Sequence, residues 1–308
     1  MKVVWGLAAL PGLLGEVGVE RPLLVASPRW ATLELPAQAR WEEIPSDRIE
    51  VPDGVDGILA VGGGSAIDTA KAASAASGLP LVSVPTTYSG SEWTSFFGVR
   101  GPDRRMRGGG GGARLAGIVY EPELTLGLPR ETTAGTALNA FAHCAEALYV
   151  VGRDGSADAL ALEGAGLIED ALPRVLADAS DLAARRDLLL GAARAGEALA
   201  RSGLALGHAM AQVIGGRYGL PHGALNAICL PPVLRFNAAF VPAGLGDHPE
   251  GRVEALALAG GIGRLGDLGV PVEELPDLAE TIAGRPGARA NPRPASPEEI
   301  LGLLESAY

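Results

Sequence analysis

The chain has 308 residues, with 36 acidic against 25 basic side chains and a net charge of −11. Hydrophobic residues make up 47% of it beside 44 glycines and 23 prolines, the composition of a globular protein long enough for two domains with separate cores. The charge argues against nucleic acid or an anionic membrane as a partner, and it obliges any anionic substrate to find a local basic or helix-terminal pocket. Only two cysteines occur, Cys144 and Cys229, both in apolar settings, so a reduced cytoplasmic protein with inert thiols is expected. The start, Met1-Lys2-Val3-Val4-Trp5, lacks a signal-peptide pattern, and no apolar run has the length of a membrane span.

In chain order, residues 3–7 are predicted as a first strand, 10–17 as a short amphipathic helix and 21–26 as a parallel strand ending at Ser27-Pro28. Residues 29–56 carry two tryptophans, several prolines and little periodicity, and no element is predicted with definition there. The apolar run 57–61 is a buried strand, cut off by Gly62, Gly63 and Gly64; Ser65 then opens a helix over 66–77. Glycines let a backbone approach a ligand without a Cβ in the way, and the helix start beyond them suits a phosphate. The pattern is neither a Walker loop nor G-x-G-x-x-G, and a plain strand-to-helix turn is the competing reading. A second apolar run, 79–84, leads into Pro85-Thr86-Thr87-Tyr88-Ser89-Gly90-Ser91-Glu92. Both motifs then fall at the carboxyl edge of one parallel sheet, where open α/β sheets bind ligands. The hydroxyls of Thr86, Thr87 and Ser89 suit ribose, phosphate or carboxamide, with a polar turn as the alternative. Asp68 reaches a phosphate only through a donor or water, and Lys71 is expected to pair with it on the helix surface. Residues 93–100 read as a hairpin arm, Gly108–Gly112 as a mobile loop, 115–120 as a short strand and 121–129 as a hinge. From Arg130 the period turns helical, with helices predicted over 131–151, 156–177, 181–202, 204–214, 223–236, 250–268, 275–283 and 296–307; Pro173 should kink or end its helix.

The stretch Gly-Gly-Gly-Ser-Ala-Ile-Asp-Thr-Ala-Lys at 62–71, followed by Val-Pro-Thr-Thr-Tyr-Ser-Gly-Ser-Glu at 84–92, resembles the iron-containing alcohol dehydrogenases, and among them the maleylacetate reductases. The likeness runs from about Gly57 to the C-terminus. It implies an N-terminal α/β dinucleotide-binding domain over 1–129, an abridged Rossmann-like parallel sheet, followed by an all-α catalytic domain over 130–308, the dehydroquinate-synthase-like architecture. It also implies NADH or NADPH as cofactor, with Gly62, Gly63, Gly64, Ser65, Asp68, Thr86, Thr87 and Ser89 on it, and a homodimer formed through the N-terminal domain. Two stretches depart from the family: 29–56 is shortened, and relatives carry a charged hairpin return where this chain has Gly108–Gly112.

Asn139 and His143 stand four apart on one predicted helix and share a face; His208 opens another helix with Gln212 one turn on, and His222 begins a third. Metal-dependent members of the family carry an aspartate and three histidines at the positions of Asn139, His143, His208 and His222. The histidines match and the aspartate does not. A neutral amide is a poorer ligand than a carboxylate, and maleylacetate reductases resemble this chain in carrying Asn there, so no bound metal is expected. Gln212 stands where relatives have histidine and is assigned to substrate with Asn139 and Arg217. Glu146 is expected either to hold the His143 imidazole or to lie exposed. The resemblance implies reduction of the carbon–carbon double bond of maleylacetate to give 3-oxoadipate. His143, His208 and His222 then serve the developing enolate, the first two by proton donation and His222 by orientation. The alternatives are a metal-dependent alcohol dehydrogenase or aldehyde reductase of the same family, and a non-catalytic nucleotide-binding or regulatory homologue.

Overall fold

A computed structural model describes Met1–Tyr308 and divides into two compact units. The first comprises Met1–Thr87 with Ser91–Gly127, the second Tyr88–Gly90 with Leu128–Tyr308. No helix is long and apolar enough to cross a membrane.

The first unit is built on six strands, β1 (Lys2–Trp5), β2 (Pro22–Ala26), β3 (Ala39–Trp41), β4 (Gly57–Gly62), β5 (Pro80–Pro85) and, past a hairpin of β6 (Phe97–Arg100) and β7 (Met106–Gly110), β8 (Arg114–Tyr120). Their order is β1-β8-β5-β4-β2-β3, and every pairing in this sheet is parallel. Parallel strands are covered on both faces, which is why β2, β4 and β5 are continuous apolar runs. The twofold alternation of side chains divides them. Leu24, Leu59, Val61, Val82 and Val84 pack with Leu10, Leu13 and Leu14 of α1 (Leu10–Glu16), whereas Leu23, Val25, Ile58, Ala60 and Leu81 pack with Ile67, Ala70 and Ala73 of α2 (Gly64–Ser77). Each Leu, Ile or Val among them contributes about 1.5–3 kcal/mol when fully buried. Because Gly62 lies in register with Pro85, the two motifs end side by side at one sheet edge.

Two expectations for this unit fail. Gly108–Gly110 forms part of β7 and pairs antiparallel with β6, so three of the five glycines are strand. Backbone pairing needs no side chains, and a Cβ at Gly110 would sit 2.9 Å from the Phe97 ring. Lys71, expected at the surface, is fully buried.

The second unit is helical: α3 (Arg130–Ala147), α4 (Asp158–Ala177), α5 (Leu182–Ser202), α6 (Leu206–Tyr218), α7 (His222–Phe236), α8 (Pro249–Ala259), α9 (Leu275–Ala283), α10 (Pro286–Arg289) and α11 (Pro297–Ala307). The α/β-then-α order is as the sequence implied. Pro173 does not end α4, whose Ala171, Leu172, Val175 and Leu176 are buried on either side of it and hold the helix in place. α8 stops nine residues short of the predicted end, where Gly261 takes a left-handed φ of 86°. α3 is buried along nearly its whole length. It meets α7 at a point where both backbones lack a Cβ: one built on Gly223 would stand 2.7 Å from the Gly135 carbonyl carbon and oxygen. That approach brings Asn139 and His143, one and two turns after Gly135, onto the start of α7.

Gly223→Ala therefore drives a methyl group into backbone that has no rotamer to yield. A loss of about 1–3 kcal/mol is expected, read as a lower urea midpoint by far-ultraviolet circular dichroism; an unchanged midpoint contradicts the contact.

Candidate active site

In the first unit the site residues gather at the ends of β4 and β5. Gly62 adopts φ 152°, and a Cβ there would meet that of Ala66 at 2.7 Å. Gly63 caps α2 without a side chain; a Cβ on it would come within 2.8 Å of Thr87 Cγ2. The first turn of α2, with Gly64 and Ser65, holds no acidic residue to answer its positive end. Thr86 N donates to the Gly62 carbonyl at 2.9 Å and locks the two motifs together. Thr87 Oγ1 is buried and has no hydrogen-bond partner. A glycine cradle, an unanswered helix start and an unsatisfied buried hydroxyl fit a phosphate-bearing cofactor.

Asp68 turns away from that cradle. Its Oδ2 accepts from Gly98 N at 3.2 Å and its Oδ1 faces Lys71 Nζ at 3.5 Å. Lys71 Nζ also donates to Thr94 Oγ1 and to the Phe96 carbonyl, both at 3.0 Å, which makes it a buried strut for the β6 arm. Burial pulls the Lys71 ammonium below its ordinary range, and the carboxylates of Asp68 and Glu92 oppose that. Glu92 is buried too, accepts from Tyr120 Oη at 2.6 Å, and is pushed above the usual carboxylate range by burial.

The second unit assembles the imidazoles. α3 supplies Asn139, His143 and Glu146, α6 supplies His208, and α7 supplies His222 and Asn226. The rings of His143 and His208 stack with centroids 4.6 Å apart and 18° between planes, and His222 lies 5.9 Å from His208. The three histidines singled out by spacing are thus neighbours. His248 is elsewhere, exposed beside Glu250.

Glu146 corrects the reading of it as an exposed helix residue: it is fully buried and bound to His208. Its Oε2 accepts from Ala205 N at 2.8 Å and lies 2.8 Å from His208 Nδ1, while Oε1 accepts from His208 N at 3.1 Å. Ala205, the residue capping α6, has no side chain able to cap, so a carboxylate from α3 performs that task. Gly207 makes room for it, since a Cβ there would stand 2.9 Å from Glu146 Oε1. A carboxylate only accepts, so His208 donates from Nδ1 and its Nε2 is left for another partner. That Nε2 is buried without a hydrogen-bond partner.

Ser89 belongs to a short segment, Tyr88–Gly90, held on the helices. Tyr88 N donates to Thr136 Oγ1 at 3.3 Å, Arg185 Nη1 donates to Tyr88 Oη at 3.0 Å, and Asn139 Nδ2 donates to the Ser89 carbonyl at 3.2 Å. Gly90, at φ 70°, would place a Cβ 2.9 Å from the Ala192 carbonyl oxygen. Asn139 Oδ1 accepts from Asn226 Nδ2 at 2.7 Å. Sequence reasoning missed Asn226, Arg185 and the true partner of Glu146; only the i, i+4 spacing of Asn226 from His222 was available as a signal. Gln212 is half-buried one turn beyond His208. Arg217 does not fit the role of substrate anchor, because its guanidinium already faces Asp277 Oδ2 at 2.6 Å and Glu274 Oε2 at 3.4 Å. Burial pushes the Cys229 thiol up to about 12 and that of Cys144 higher still, so neither is a nucleophile at neutral pH.

Residues 133–259 match the Fe-containing alcohol dehydrogenase family, C-terminal, and residues 50–110 match the iron-containing alcohol dehydrogenase family. A maleylacetate reductase of Burkholderia cepacia is 34% identical over all of this chain and 95% of its own length. The chain belongs to the iron-containing alcohol dehydrogenase family. Maleylacetate reductase 1 of Cupriavidus pinatubonensis is 31% identical with the same coverage. Among solved structures, an iron-containing alcohol dehydrogenase from Corynebacterium glutamicum superposes with a TM-score of 0.89 at 29% identity, covering 100% of this chain and 94% of that one. Maleylacetate reductase from a Rhizobium strain gives 0.85 at 29%, covering 100% and 95%.

The family name raises the question of whether the donors present fit iron. Asn139 Oδ1 is already taken by an amide hydrogen. His222 Nε2 lies 3.0 Å from the same Asn226 nitrogen. No group of three or more His, Cys, Asp or Glu side chains is arranged to hold a metal. As arranged, this set does not fit a divalent cation.

Proposed function

We propose that this chain is an NADH- or NADPH-dependent reductase of the maleylacetate reductase type, working through an imidazole site without a metal. The observation that carries the reading is the neighbouring His143, His208 and His222 beside a neutral Asn139, in a chain 34% identical to a maleylacetate reductase along its whole length. In the first unit, Gly62–Ser65 would hold the pyrophosphate on the start of α2, with the hydroxyls of Thr86 and Thr87 as further partners. The cofactor supplies a hydride when bound.

Addition of hydride to the double bond conjugated with the substrate ketone leaves negative charge on the ketone oxygen. The chain's part is to hold the substrate and deliver a proton. Glu146 fixes the His208 ring and holds its Nδ1–H, so the proton delivered is the Nε2–H of the imidazolium form, and its loss to the substrate leaves the neutral Nδ1–H ring that Glu146 holds. His143, stacked on His208, and His222 keep that ring from rotating and line the substrate oxygen's surroundings. Gln212 offers both a donor and an acceptor one turn along α6, but cannot carry a proton at neutral pH. A homodimer through the N-terminal unit belongs to the same proposal. β1 pairs on one side only, with β8, and Met1 and Val3 on this edge are exposed.

Oxidation of NADH or NADPH in the presence of maleylacetate, followed by absorbance, tests the reading. His208→Ala is expected to lower kcat by about 100-fold or more while nucleotide affinity stays put. Gly63→Val should do the reverse, abolishing nucleotide binding in a folded protein. Full kcat in His208→Ala would show that water supplies the proton, and unchanged NADH affinity in Gly63→Val would remove the cradle.

A further inference from the structure

Ser89, Asn139, Asn226 and His222 form one hydrogen-bonded line whose direction is fixed from a single end. The Ser89 carbonyl can only accept, so Asn139 must turn its Nδ2 toward it, at 3.2 Å. Asn139 then presents Oδ1 to Asn226, which has to answer with a donor, and its Nδ2 stands 2.7 Å away. The same nitrogen is 3.0 Å from His222 Nε2 and 3.2 Å from the His222 carbonyl. Turning Asn226 over would set two oxygens 2.7 Å apart; turning both amides would set the Asn139 oxygen against the Ser89 carbonyl. Asn139 and Asn226 are 3% and 1% exposed, so water does not relieve either arrangement.

We propose that Asn226 is a positioning residue that holds His222 as its Nδ1–H tautomer, under the direction of the Ser89 carbonyl relayed through Asn139. His222 Nε2 receives the Asn226 hydrogen and its ring proton resides on Nδ1. The relay also gives a physical reason for the amide at 139. That side chain must donate to Ser89 and accept from Asn226 at once, and a carboxylate has no hydrogen to offer the carbonyl. Asn226 Nδ2 lies between Asn139 Oδ1 and His222 Nε2 and satisfies the two lone pairs that a cation would otherwise claim. The consequence for catalysis, an imidazole of fixed polarity beside the substrate, rests on the reductase reading; the tautomer does not.

Protein labelled with ¹⁵N-histidine has only four imidazoles, and His222 is assigned by comparison with His222→Gln. At a pH where the rings are neutral, His222 is expected as Nδ1–H in the wild type. In Asn226→Asp, which only accepts, the proton should move to Nε2. An Nε2–H signal for His222 in the wild type, or Nδ1–H retained in Asn226→Asp, overturns the proposal. Should Asn226→Asp not fold, Asn226→Ala serves: His222 is expected to become a mixture of tautomers, and unaltered Nδ1–H contradicts the relay. In the reductase assay Asn226→Ala should lower kcat about tenfold or more with NADH affinity unchanged, and full kcat would sever the relay from catalysis. A wild type inactive on maleylacetate would remove the reductase reading while the tautomer result stood.

Discussion

A single buried carboxylate, Glu146, organises the helical unit. It is fully enclosed, and its two oxygens answer two backbone N–H groups at the start of α6 and the Nδ1 of His208. A buried charge is tolerated only where hydrogen bonds satisfy it, and stripping one partner from such a cluster costs about 3–5 kcal/mol. Here the partners are the positive end of a helix and the ring that the site needs. Gly207, with no Cβ to obstruct the carboxylate, and the Gly135–Gly223 contact, which draws α3 onto α7, are the spatial conditions for it. Stability and ring orientation are therefore one requirement in this part of the molecule.

Around that carboxylate the site is made of amides and imidazoles. The family's name refers to iron, but here the lone pairs of Asn139 and His222 are committed to Asn226. Changing a carboxylate to an amide removes a charge and adds a donor, and both changes matter. The lost charge weakens a cation site, while the gained donor secures the Tyr88–Gly90 segment through the Ser89 carbonyl. The chain's net charge of −11 makes the same demand on an anionic substrate from another direction, since attraction must come from local groups.

Patterns that repeat along one element were legible in the sequence. The apolar runs gave β2, β4 and β5, and i, i+4 spacing placed Asn139 with His143. Interactions across distant segments were not. Glu146 lies three residues from His143, yet its partner is 62 residues on, because helix packing and not chain proximity decides who fills the space. Lys71 has the look of a surface lysine until Thr94 and the Phe96 carbonyl close over it. In the hairpin, β7 is carried by backbone hydrogen bonds along glycines that have no side-chain pattern to read. Residues 29–56 hold β3, a strand of three residues, too short for periodicity to register.

With Asn139 and the three imidazoles as the site's groups, the reduction must proceed without a metal. The direct measurement is the rate of NADH or NADPH oxidation with maleylacetate before and after exhaustive chelation, with metal content determined on the same samples. An unchanged rate in metal-free protein is what the amide and imidazole arrangement predicts. A rate that vanishes on chelation and returns with Fe²⁺ or Zn²⁺ would contradict it.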